Sequence, residues 1–301
     1  MLISFKQLLD DALSGGYAVG YFESWDVYSL EAVIEAAEAA RAPVILGFGG
    51  VMMEPGWLDG GGLERLAALG LETARAAKVP VAFLLNEVST FDQIQRGLRA
   101  GFNAVMLDSS ALSYADNVQV TRQIVQVAHE VGAAVEAEFG ELPDASGEMQ
   151  SLRPAQVGGG IGHLTDPAQA ARFVADTSID ALAVSVGNVH TLTHGKATVD
   201  WARLAAIHQA VPLPLVIHGG TGFPDEAIPR AIALGVAKFN YGTVLKRAFL
   251  EGVADAVHAL TIEVGYHQVI GSRKEADILQ QGKVHVCAEV THRIRLLRPQ
   301  R

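Results

Sequence analysis

Apolar runs recur eight times along the chain, each followed by a stretch with helical spacing, and this alternation restricts the fold more than any other feature. The runs are Ala18–Phe22, Pro43–Phe48, Val79–Leu85, Ala104–Leu107, Ala134–Glu138, Ala181–Ser185, Leu215–His218 and Ala237–Asn240. Between them, segments such as "SLEAVIEAAEAARA", "TFDQIQRGLRAG" and "NVQVTRQIVQVAHEVG" repeat apolar residues at helical intervals, the mark of helices with one buried face. A continuous apolar run reads as a strand covered on both faces, and strands joined through helices run parallel. Such units, eight in roughly 250 residues, suit a closed (β/α)8 TIM barrel with an additional helix at each end. One barrel domain over residues 1–301 is therefore expected. A doubly wound open sheet ranks second, because no G-x-G-x-x-G phosphate signature follows the first strand.

Composition narrows the partners. Half of the residues are hydrophobic, enough for a large core, and the net charge is −10. An acidic surface repels phosphate backbones, which argues against nucleic acid. The lone cysteine, Cys287, rules out an intramolecular disulfide and a cysteine-based zinc site. The N-terminal "MLISFKQLLDDALSGG" carries acidic residues and is not a secretory signal. No apolar run reaches the roughly 18 residues of a membrane span. A cytoplasmic protein acting on a small molecule is expected, with no membrane partner.

In a barrel the C-terminal ends of the strands converge on one site. Here they carry Glu23, Asn86-Glu87, Asp108 with Ser110, Glu136 with Glu138, His190, His218 and Asn240. Two histidines among carboxylates are donors for a hard or borderline metal ion, and equally the polar lining of a solvated barrel mouth. Two glycine-bearing turns add a second signal. "VIHGGTGFPDEAI" and "KFNYGTVLKRAF" each run from a strand into a helix. Small residues there let backbone N–H groups approach an anion, and barrels commonly bind phosphate after strands seven and eight. The stretch "ELPDASGEMQSLRPAQVGGGIG" after the fifth strand exceeds the usual loop length and reads as a lid over the site.

At these residues the chain resembles the class II, metal-dependent ketose-bisphosphate aldolases. The resemblance covers nearly the whole chain and is most specific at "VEAEFG" and "HGGTG". It implies a (β/α)8 barrel, a homodimer or homotetramer, and a divalent metal, with zinc the first choice. It carries the family's phosphate-binding residues onto Gly219, Thr221, Asn240 and Thr243. The departures are sharper than the matches. The family's third strand ends in His-x-Asp-His, whose Asp is an acid/base and whose last His binds zinc; this chain has Leu84-Leu85-Asn86-Glu87 there. The other two zinc ligands match His190 and His218, so Glu87, His190 and His218 form the expected metal site. Glutamate can coordinate such a metal through oxygen. An amide cannot exchange a proton near neutral pH, so Asn86 leaves the usual acid/base role empty. Glu148 is the nearest match to the family's catalytic loop glutamate. An Asn at the end of strand one has become Glu23, and a polar pair after strand two has become Gly47 and Gly49. Arg273 resembles an arginine that reaches a second phosphate.

The expected function is an aldolase-like lyase that cleaves a C–C bond in a phosphorylated sugar or related keto compound, through an enediolate and with metal assistance. Asn86, Glu87 and Glu148 are its candidate catalytic residues, and conventional fructose-1,6-bisphosphate cleavage is not expected. The alternatives are an isomerase or epimerase on the same barrel, with Glu87, Glu23 or Glu148 as base, and a non-catalytic phosphosugar-binding homologue.

Overall fold

The computed structural model describes residues 1–140, 164–189, 195–260 and 265–298. Eight parallel strands close into a barrel in sequence order, β1 pairing with β8. They are β1 (Val19–Glu23), β2 (Val44–Gly49), β3 (Val81–Val88), β4 (Ala104–Leu107), β5 (Ala134–Phe139), β6 (Ala181–Val184), β7 (Leu215–Ile217) and β8 (Val236–Tyr241). The helical segments named above fold as helices, among them Val27–Ala40, Phe91–Ala100 and Tyr114–Glu130. Every residue of β2, β3, β4 and β8 is buried, as an inner face packed on the barrel interior and an outer face packed on helices require.

Side chains alternate across each strand, and the inward set is small. Ala82, Ala104, Ala134, Ala181, Ala183 and Val216 belong to the interior cluster, with Tyr21, Ile45 and Leu84 as its larger members. An extra helix, Phe5–Gly15, precedes β1 and inserts Phe5, Leu8, Leu9 and Ala12 into the same cluster. Its lead-in runs beside the start of β3, where Ile3 N donates to Val81 O and Val81 N to Met1 O, both at 2.9 Å. The helix therefore packs at the N-terminal ends of the strands, away from the polar residues at their other ends. Burying each of its large apolar side chains contributes about 1.5–3 kcal/mol. At the other end of the chain, Ile278–Leu297 packs against Val27–Ala40 and Thr243–His258. Lys283 reaches Glu35 at 2.6 Å across that seam. Both extra helices were legible in the sequence.

The end of β3 is anchored from outside. Thr90 and Gln93 form a reciprocal capping box at the start of Phe91–Ala100, and Gln93 Oε1 also accepts from Ser89 N at 2.9 Å. Gln93 Nε2 donates to Asp59 at 2.8 Å. Backbone donors that would be orphaned at a helix start are thus spent on fixing where β3 stops. Among the described residues, no helix is long and apolar enough to cross a membrane.

Candidate active site and metal centre

The sequence predicts that β3 ends at Leu85; the strand continues to Val88, and Asn86-Glu87 lies inside it. The reason is a break in register. Leu85 pairs with Val105, but Val88 pairs with Leu107, so the β3–β4 ladder slips between them. Glu87 sits in that irregularity with φ of 48°, a left-handed conformation that costs a non-glycine residue about 1–3 kcal/mol. Bulges re-aim side chains next to functional sites. Here the bulge turns a glutamate that strict alternation would send outward toward His218, with Asn86 and Glu87 only 4% and 7% exposed.

His218 follows β7 and is the hub. Its Nδ1 lies 3.2 Å from Glu87 Oε1 and 3.1 Å from Glu138 Oε2, while Nε2 lies 2.9 Å from Glu136 Oε1. Asn188 holds the backbone beneath it, donating from Nδ2 to His218 O at 2.9 Å. Lys238, fully buried, meets both oxygens of Glu136 at 2.9 and 2.8 Å and donates to Asn240 Oδ1 at 2.6 Å. Glu136 and Glu138 alternate on β5, and Lys238 and Asn240 on β8, which sets each pair on one face.

The electrostatics follow from this packing. Burial opposes the His218 imidazolium, yet its bonds to Glu136, Glu138 and Glu87 override burial and hold its pKa well above the ordinary histidine value. Burial likewise pushes the Glu136 carboxyl up, but the Lys238 ammonium and His218 outweigh it and leave the pKa below the usual range. Burial lowers the Lys238 pKa against the opposing pull of Glu136.

Glu87, Glu138 and His218 each offer a ligand atom, and these atoms all lie within 4.8 Å of one another. If neutral His218 gives its Nε2 proton to Glu136, its Nδ1 lone pair faces two carboxylate oxygens. Three electron-rich atoms share that space only with a cation between them, either the proton of an imidazolium or a metal ion. One nitrogen and two oxygens suit zinc, manganese, cobalt or iron. The residues present fit a divalent metal.

A cavity of about 510 Å³ opens beside this cluster, lined by Glu87, Glu138, Asp108, Ser110, Asn117 and Thr165 among others. Asn86 Oδ1 is buried with no hydrogen-bond partner among the described residues, an acceptor available to a bound hydroxyl.

Of the expected metal ligands, the structure brings Glu87 and His218 together; His190 lies outside the described residues, as does Glu148. Glu138 joins them as a candidate ligand, one that the sequence reading placed at a strand end without assigning it a role. The signal was present, since the i, i+2 spacing of Glu136 and Glu138 on one strand puts both carboxylates on the same face. Lys238 was missed for the corresponding reason on β8, having been read only as part of an apolar run.

The β7 and β8 turns sit side by side. Gly219 has φ of 68° and opens a short 3-10 turn over Gly220–Gly222, a conformation glycine adopts without strain. Thr221 Oγ1 accepts from Val244 N at 3.3 Å, tying this turn to the start of helix Thr243–His258. Gly219, Thr221 and Thr243 thus flank one helix N-terminus. The fourth residue, Asn240, is buried, and its amide oxygen is already committed to Lys238. Arg273 is engaged within its own chain, pairing with Glu31 and lying 4.0 Å over the Tyr28 ring.

Comparison with known proteins agrees with this fold. A model of the class II fructose-bisphosphate aldolase family matches residues 3–300. The structure of the YdjI aldolase from Escherichia coli K12 is similar at a TM-score of 0.80 and 29% identity, covering 99% of this chain and 97% of that one. A candidate fructose-1,6-bisphosphate aldolase from Coccidioides immitis gives a TM-score of 0.80 at 26% identity, covering 97% and 94%. The fructose-bisphosphate aldolase of Campylobacter jejuni shares the fold, with a TM-score of 0.77 at 21% identity and coverage of 98% and 94%.

Proposed function

This chain belongs to the class II fructose-bisphosphate aldolase family and is an aldolase-type lyase, and from that premise we propose that it splits a phosphorylated keto compound through an enediolate, in the cavity beside Glu87, Glu138 and His218. The observation that carries this reading is the convergence of two carboxylate oxygens on His218 Nδ1 at 3.2 and 3.1 Å. Class II aldolases depend on a divalent metal. Glu87, Glu138 and His218 would hold it here, with His190 as the family's further ligand and zinc as the first choice. When bound, the ion supplies Lewis acidity to the carbonyl of the substrate.

The protein's own groups handle the protons. Cleavage removes the proton of the hydroxyl on the carbon beyond the scissile bond. That C–O becomes the aldehyde, and the C–C electron pair passes into the enediolate. Asn86 accepts a hydrogen bond from this hydroxyl but cannot take its proton. The proton goes to a cavity carboxylate outside that ligand set, Asp108. Glu148, by its match to the family's loop glutamate, returns a proton to the enediolate carbon. Glu136 and Lys238 touch no substrate; they orient His218. The phosphate of the substrate rests against Gly219, Thr221 and Thr243, where backbone N–H groups and a helix start favour an anion.

The deciding experiment loads chelator-treated protein with zinc, manganese or cobalt and screens phosphorylated ketoses for aldehyde release. Metal-dependent release is expected. Exchange of substrate carbon-bound hydrogen with solvent, without any aldehyde, would instead assign an isomerase or epimerase.

The phosphate contact has its own test. Thr221→Val keeps the side-chain volume and removes the hydroxyl, and it avoids the strain that any side chain would suffer at Gly219. Binding of inorganic phosphate is expected to weaken about tenfold, the loss of one charge-assisted hydrogen bond. Unchanged affinity would show that these turns are structural only.

A further inference from the structure

At the end of β1, Glu23 occupies a position that the cluster around His218 does not use. Its neighbour across the β1–β8 pairing is the turn after β8, since Phe22 lies opposite Tyr241. Glu23 Oε1 meets Lys246 Nζ at 2.6 Å. Its other oxygen fills the space beside Gly242, where any Cβ would overlap it. On the β2 side, a Cβ on Gly49 would sit 3.3 Å from Oε1. The carboxylate is therefore seated between β2, β8 and the first turn of Thr243–His258, with its side chain 12% exposed against 39% for Lys246. Gly49 and Gly242 leave the room for it. An ion pair with one partner this exposed contributes little to stability, so folding alone does not account for it.

Its position does have a chemical consequence. The carboxylate presents negative charge at the barrel mouth and engages a lysine that would otherwise attract an anion. A phosphate arriving there meets a like charge at close range and a cation already paired. A hydroxyl does not. It donates to the carboxylate and accepts from the ammonium, so the Glu23–Lys246 pair is a ready partner for a neutral sugar-type end.

We infer that Glu23 is a specificity-determining residue that bars a second phosphate from the β1/β2/β8 side of the mouth and selects a monophosphorylated substrate whose other end is an uncharged, hydroxylated chain. This rests on the reading of the site as a lyase for phosphorylated keto compounds, and it deepens that reading by naming the substrate class.

The test uses inorganic phosphate and requires no turnover, so a protein that cleaves nothing still decides it. Phosphate is titrated calorimetrically into the wild type, Glu23→Gln and the double variant Glu23→Gln/Lys246→Met, with melting temperature as the folding control. Glu23→Gln keeps the shape and removes the charge, freeing Lys246. The expected result is a second phosphate site in Glu23→Gln, raising the stoichiometry by one over the site at Gly219, Thr221 and Thr243 that the wild type offers, and lost again in the double variant. Equal phosphate binding by wild type and Glu23→Gln, including no binding by either, overturns the inference. So does a gain that survives removal of Lys246. A Glu23→Gln variant that fails to fold is replaced by Glu23→Ala, read against the same two outcomes. Failure of the lyase reading itself shows elsewhere, as absence of aldehyde release.

Discussion

The double change Asn86→Asp with Glu87→His raises the kcat for fructose-1,6-bisphosphate cleavage by about 10²–10⁴-fold, the range that a positioned general acid/base contributes, and slows the native cleavage. The change returns a proton-exchanging carboxyl and an imidazole ligand to the end of β3. The bulge that aims Glu87 at His218 then aims the histidine at the same place. The unmodified protein is expected to cleave this substrate slowly, because the amide at position 86 cannot move the hydroxyl proton and the cavity carboxylate that does so is placed for a different substrate. Affinity should stay poor even in the double variant, since Glu23 still opposes the second phosphate. Adding Glu23→Gln is expected to lower KM with little further change in kcat. Efficient cleavage by the wild type would contradict this account, because the carboxylate that takes the proton in the native reaction would then serve this substrate equally well.

Lys238→Met is expected to destabilise the protein by about 3–5 kcal/mol, the cost of stranding one partner of a buried ion pair. Glu136 and Lys238 are both fully inaccessible as side chains, so the carboxylate left behind keeps only His218 as a partner and has no water to turn to. At roughly 2–4 °C per kcal/mol, the value for chains of 150–250 residues, the melting temperature of this 301-residue chain should fall by about 6–20 °C. The companion Lys238→Met/Glu136→Gln removes the uncompensated charge while retaining an acceptor for His218 Nε2, and most of the loss should return. Thermal unfolding of the four proteins in the cycle measures the coupling directly. A single variant that melts like the wild type would show that the pair carries no structural weight.

Much of this architecture is legible in the sequence, for reasons that differ by element. Continuous apolar runs such as Val81–Leu85 can only be strands covered on both faces, and eight of them alternating with helices leave few arrangements besides a closed barrel. The β7 and β8 turns are legible because glycine clusters between a strand and a helix have few uses. The bulge in β3 is not. An extra residue in a ladder changes which partner each residue meets, and a single strand's sequence does not contain its neighbour's register. For that reason Asn86-Glu87 reads as the stop of a strand, although it is a kink within one. Glu136 and Glu138 are visible at the end of β5 but carry no legible role, and Lys238 is hidden within an apolar run, because the partners that define them lie 80 to 102 residues away. Glu23 is visible as a departure from the family, but its partner Lys246 is not, since only closure of the barrel brings β1 beside the helix after β8.

The central claim is that the end of β3 has been rebuilt around a carboxylate ligand, and metal stoichiometry tests it most directly. Protein treated with chelator, dialysed and titrated calorimetrically with Zn²⁺ should bind one ion per chain and gain thermal stability on binding. Glu87→Ala and His218→Ala should each weaken that binding by at least 10-fold, the lower end of the effect seen when groups around a metal are removed, while Asn86→Ala should leave it within about threefold, the ordinary context-dependent spread for a neighbouring non-ligand. Protein that binds no stoichiometric divalent ion, or whose binding is indifferent to Glu87→Ala, would contradict the account.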